Sequence, residues 1–134
     1  MSWWVKRIGS VSGLACSFGA WEGTQLVGTV ALQYSAKPKT RHAALVLGMY
    51  VKPGLRGQGI GGLLMRAAIE SAAARPEIQV LTLTLTEGNE PALHLYESMG
   101  FAAWGTEPLA LLTSTGLKGK VHMAMPLPPA GAAF

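Results

Sequence analysis

The chain has 134 residues, enough for one domain core but not two, since domains cluster near ~100–150 residues. It is 49% hydrophobic and only 13% charged, where globular chains run near ~25%, which excludes a disordered tail or a coiled coil. Eleven Lys and Arg stand against seven acids for a net charge of +4; all seven acids are Glu, so EF-hand loops, aspartyl dyads and Asp-dependent phosphotransfer sites are excluded.

The first residues carry no clear pattern. Lys6 and Arg7 precede an apolar stretch, but Gly9, Ser10, Ser12 and Gly13 break it, so it does not read as a signal-peptide core. Residues 14–20 and 26–34 are two β-rich apolar runs separated by Trp21-Glu22-Gly23-Thr24-Gln25, which predicts a hairpin. The single cysteine, Cys16, lies in the first run. It forbids an internal disulfide, fits a reducing compartment, and is expected to be a small buried strand residue. A basic loop with Lys37, Pro38, Lys39 and Arg41 leads to a third strand over residues 43–51, which Lys52-Pro53-Gly54 ends. That run is far shorter than the ~20 residues of a spanning helix, and with Cys16 it makes a cytoplasmic protein with no membrane partner the expectation.

Residues 59–75 change to helical period: Ile60, Leu63, Leu64, Ala67 and Ala68 share a face, and Pro76 stops the helix. Residues 78–86 alternate strictly, with Leu81, Leu83 and Leu85 on one face and Val80, Thr82, Thr84 and Thr86 on the other. Asn89 is a good N-cap for a second helix through Met99, with Pro91 in its first turn and Gly100 suited to the left-handed position after its end. A closing strand pair is expected over 101–105 and 120–125. The domain is taken as 1–126, followed by a Pro/Ala/Gly-rich tail over 127–134 that is expected to be disordered.

Between the third strand and the long helix lies Arg56-Gly57-Gln58-Gly59-Ile60-Gly61-Gly62. Glycines let backbone pack against a ligand, and free N–H groups at a helix N-terminus favour phosphate. Two motifs overlap here. Gly57, Gly59 and Gly62 satisfy G-x-G-x-x-G, but a dinucleotide fold needs that loop to open a βαβαβ unit, and here a hairpin and a third strand come first. Arg56, Gly59 and Gly61 satisfy R-x-x-G-x-G, and the basic residues are otherwise scattered, without the face of stacking aromatics that nucleic-acid binding would want. His42 and His122 are too isolated to imply a metal site.

The run from Tyr50 through Arg56 to Gly61 resembles the acetyl-CoA site of the GNAT-type N-acetyltransferases. Asn89, Ala92, Leu95, Tyr96, Glu97, Gly100 and Phe101 resemble that family's N-x-x-A-x-x-L-Y-E-x-x-G-F block downstream. The resemblance covers roughly residues 13 to 127. It implies an α/β (α+β) single domain whose mixed, mostly antiparallel sheet has flanking helices, without the family's usual N-terminal strand-helix-helix. It implies an acetyl-CoA-dependent enzyme with no metal, in which a primary amine of a small molecule or peptide attacks the thioester directly. By position, backbone of Met49, Tyr50 and Val51 would bind the pantetheine arm and acetyl group; Arg56, Gly57, Gln58, Gly59, Ile60 and Gly61 would cradle the pyrophosphate. Asn89 would contact the cofactor, and the Tyr96 hydroxyl would protonate the departing thiolate, which a phenol near pKa ~10 can do for a thiol near ~8.5. Many members carry a glutamate base where Thr84 stands. Threonine cannot take the amine proton, which leaves Glu22, His42, Glu87, Glu107 or a water chain as alternatives. The short N-terminus leaves apolar sheet surface uncovered, from which a homodimer is expected. A non-catalytic CoA-binding module of the same fold is the alternative reading.

Overall fold

The computed structural model describes residues 4–11 and 13–127. Seven strands form one sheet in the order β1-β2-β3-β4-β5-β7-β6. The elements are β1 (Trp4–Val11), β2 (Ala15–Glu22), β3 (Gln25–Tyr34), β4 (Ala43–Val51), α1 (Ile60–Ala73), β5 (Val80–Thr86), α2 (Glu90–Met99), β6 (Ala102–Thr113) and β7 (Gly116–Pro126). Every neighbouring pair is antiparallel except β4 and β5, which α1 connects as a parallel crossover.

Period-two alternation divides the sheet into two faces. Phe18, Val30, Leu32, Ala44, Val46, Leu81, Leu83 and Met123 are buried on the face that carries the helices. There α1 turns Ile60, Leu64, Met65, Ala68 and Ala72 inward across β1–β4, each large side chain contributing roughly 1.5–3 kcal/mol by burial. Helix α2 packs beside α1 at close range: Leu95 Cδ2 lies 3.0 Å from where a Cβ on Gly61 would stand. Arg75, just beyond α1, donates from Nη2 to the Gly13 carbonyl at 2.9 Å and stacks on the Tyr34 ring at 3.6 Å, fixing that end of the helix. On the opposite face Leu45 and Leu47 remain 36% and 41% exposed. No helix of the described residues is long and apolar enough to cross a membrane.

Three features differ from the sequence expectation. Trp4–Val11 forms an edge strand on β2, with Trp4 stacked on Trp21, where the sequence pattern predicts no element. The final strand pair is much longer than expected: β6 and β7 run on to a tight turn, pairing Thr113 with Gly116. Register shifts between Ala103 and Gly105 and between Glu107 and Leu111, with Leu109 at φ 55, let β6 carry Pro108 without breaking the hairpin. Leu127 is buried, and its N–H donates to the Gln79 carbonyl at 2.8 Å; the rest of the expected tail lies outside the described residues. Cys16 is buried and free, as its setting in β2 implied.

Candidate active site

Strands β4 and β5 pair only through Ala43–Val80, Ala44–Leu81 and Leu45–Thr82, and beyond that point they part. The cause lies in β4. Ala31 of β3 faces Leu47 and Thr29 faces Tyr50, so Gly48 and Met49 together oppose Val30 in a β-bulge. Gly48 takes φ 67, a conformation that L side chains rarely adopt, and the Thr29 hydroxyl donates to its carbonyl at 3.3 Å. Bent this way, β4 keeps its bonds to β3 out to Val51 but presents its other edge, over residues 46–51, to a gap where β5 would have paired.

The loop after β4 delivers the other half of the site. Gly54, Gly57 and Gly59 all have φ near 90°, and a Cβ at any of them would meet nothing within 4 Å; these glycines answer to backbone conformation rather than crowding. Gly59 is the N-cap of α1 and offers no side-chain cap. The first helical bond runs from the Leu63 N–H to the Gly59 carbonyl at 3.1 Å. The N–H groups of Ile60, Gly61 and Gly62 therefore have no intrahelical acceptor, and they stand at the positive end of the helix dipole. Arg56 curls back, its Nε donating to the Val51 carbonyl at 3.3 Å, which adds a fixed positive charge.

These parts line a cleft of about 720 Å³, bounded by Met49, Tyr50, Val51, Arg56, Gly57, Gly59, Ile60, Gly61, Asn89 and Tyr96. Of the residues expected from sequence, only Gln58 is not on its wall. Leu55, Gly62, Pro91, Ala92 and Leu95 line it as well; the sequence pattern assigns them no cofactor role, although Ala92 and Leu95 belong to the downstream motif and Pro91 to the first turn of its helix. Gly62 had a signal, as the third glycine of the alternative motif. Ile60 is 1% exposed with its side chain in the core, so what it can offer a ligand is its N–H.

A second cavity of about 250 Å³ adjoins the first, sharing Met49, Asn89, Ala92 and Tyr96. Its remaining walls are Val46, Leu47, Gly48, Leu83, Thr84, Leu85 and Thr86, the two edges of the parted strands. Because Leu83 and Leu85 face the helices while Leu47 and Thr84 face the open side, the gap is a slot through the sheet.

Tyr96 stands where the two cavities meet. It is 7% exposed and meets Phe101 edge-on at 6.2 Å between ring centroids. Burial pushes its hydroxyl above the ordinary value of 10, so it stays protonated throughout the neutral range. Asn89 caps α2, Oδ1 accepting from the Ala92 N–H at 3.3 Å, which leaves its amide Nδ2 for the cleft. Among the expected base candidates, Glu107 is the one that the structure joins to another titratable group: His122 Nε2 lies 3.2 Å from its Oε1. No cluster of metal-ligating residues occurs among the described residues.

A glycine-rich helix start, a parted parallel pair and a buried phenol between them can hold a long phosphate-bearing ligand threaded into a sheet. Known proteins resemble the chain in sequence and in fold. The family model described as acetyltransferase (GNAT) family matches residues 3–101. Streptothricin acetyltransferase of Streptomyces lavendulae is 39% identical over 105 residues, covering 77% of this chain and 53% of its own length. Among solved structures, nourseothricin acetyltransferase superposes with a TM-score of 0.73 at 33% identity, over 86% of this chain and 66% of that one. A GNAT-family acetyltransferase from Streptococcus pneumoniae shares the fold at a TM-score of 0.80 and 23% identity, over 86% of this chain and 68% of the other. The chain spans about half the length of the curated relatives it matches. On its motifs, its parted sheet and these matches, the chain belongs to the acetyltransferase (GNAT) family.

Proposed function

We propose that the protein transfers an acetyl group from acetyl-CoA to the primary amine of a small molecule, the two bound together. The observation that carries this is the slot between β4 and β5, continuous with the uncapped N-terminus of α1. When bound, acetyl-CoA supplies an activated acetyl carbon and a thiol leaving group. The N–H groups of Ile60, Gly61 and Gly62, with Arg56 and the backbone of the Gly57–Gln58–Gly59 loop, hold its pyrophosphate. Backbone of Met49, Tyr50 and Val51, which does not pair with β5, binds the pantetheine arm and supports negative charge on the acetyl oxygen. The Asn89 amide adds a contact, and the Tyr96 hydroxyl gives its proton to the departing sulfur.

Two relatives are named for streptothricin and nourseothricin, so these compounds head the acceptor panel, ahead of simple amines and peptides. Mixing protein, acetyl-CoA and each amine while following free thiol tests the reading. Amine-dependent release is expected, falling about 100-fold in Tyr96→Phe. Stabilisation by acetyl-CoA with no thiol from any amine would instead mark a CoA-binding module. The homodimer belongs to the same reading: exposed Trp4, Ile8 and Leu26 make an apolar patch on the open face, and light scattering at micromolar concentration should report twice the 14.1 kDa chain mass.

A further inference from the structure

The acid in this reading is Tyr96, while the base position on β5 holds Thr84, which cannot accept the amine proton. The open face supplies a replacement from the neighbouring strand. In the β5–β7 register Thr84 pairs directly with His122, and the two side chains leave the sheet on the same face. Directly opposed residues have Cβ atoms only ~4.5–5.5 Å apart, so the imidazole stands one strand from the wall of the slot. On its other side His122 faces Gly105, which has no side chain to crowd the ring. Trp104 stands against it, ring centroids 5.0 Å apart. His122 Nε2 lies 3.2 Å from Glu107 Oε1, with the two side chains 28% and 54% exposed. An ionised carboxylate only accepts hydrogen bonds, so Nε2 carries the hydrogen and the lone pair sits on Nδ1. This is the arrangement of a base oriented by a carboxylate.

We propose that His122, oriented by Glu107, is the general base that takes the proton from the acceptor amine. The proposal rests on the acetyl-transfer reading above, and it has the amine enter from the open face while the cofactor lies along the helix face. As the amine nitrogen bonds to the acetyl carbon and the carbon–sulfur bond breaks, one proton passes from nitrogen to His122 Nδ1 and one from the Tyr96 hydroxyl to sulfur. Proton exchange with water then resets both residues. The charged groups facing His122 are Glu107 from β6 and Lys120 two residues before it on β7; from β5 come Thr84 and Thr86, which carry no charge.

Thiol release with acetyl-CoA and the amine panel, measured against pH on the full chain, tests this. His122→Gln is expected to lower kcat about 100-fold, to remove the acid limb of the kcat/KM profile, and to leave stabilisation by acetyl-CoA unchanged. Added imidazole should restore rate to His122→Ala, and Glu107→Gln should show a smaller loss. Unchanged rate and pH profile in His122→Gln overturn the assignment while acetyl transfer stands. A loss that leaves the acid limb in place and that imidazole does not rescue marks a structural role and overturns it too. If the unaltered protein releases no thiol with any amine, the acetyl-transfer reading fails, and this assignment with it.

Discussion

The same two strands do opposite work along their lengths. Over Ala43–Val80 to Leu45–Thr82, β4 and β5 are hydrogen-bonded, and Ala44 and Leu81 are buried beneath the helices; this half is core. Beyond Leu45 the strands part, the bulge at Gly48, three residues on, bends β4, and its unpaired edge becomes the wall of a cavity. Buried backbone groups demand partners. A sheet opened in its middle is therefore either a defect or a binding site, and the free helix N-terminus at its mouth argues for the second. The paired half supplies the rigidity that lets the parted half stay open.

Substitutions in each half should separate the two roles. The largest effect belongs to the paired half: Leu81→Ala leaves a cavity under fully buried Leu81 and should cost about 2–5 kcal/mol in denaturant unfolding, lowering acetyl-CoA binding only through loss of folded protein. At the mouth of the parted half, Gly59→Ala forces a Cβ into φ 88 and should cost about 1–2 kcal/mol; unlike Leu81→Ala it should also weaken acetyl-CoA binding to the fraction that folds, as calorimetry would read. The smallest effect is at exposed Leu47, where Leu47→Ser should stay within about 0.5 kcal/mol of the parent in stability while changing KM for the amine, because Leu47 lines the open side of the slot. Should Leu47→Ser unfold the protein instead, the parted half is structural after all.

Local pattern carried much of this into the sequence. The 3.6-residue period of α1, the strict alternation of β5, the Asn89 cap and the Gly100 stop all act within a few residues, and each element stands within two residues of its expected place at most of its ends. What could not be read was set by distant chain. Strand β1, rich in Gly and Ser near its end, exists because β2 has an edge to pair. The outer part of the β6–β7 hairpin looks like a loop, with Pro108 and its Thr residues, until the bulges are seen. Glycine and tyrosine motifs marked the cofactor side, but His122 appeared isolated. Only the pairing of β7 with β5 brings it beside Thr84, and only a register shift in β6 brings Glu107 within reach.

Amide hydrogen exchange with and without acetyl-CoA tests the central claim, that the gap between β4 and β5 is where the cofactor lies. Added protection should appear at residues 46–51 and at Ile60, Gly61 and Gly62, with none at Ala43, Ala44, Leu45, Val80, Leu81 or Thr82, which are already bonded across the pair. Exchange that stays unchanged over residues 46–51 and 60–62 at saturating acetyl-CoA would contradict the account.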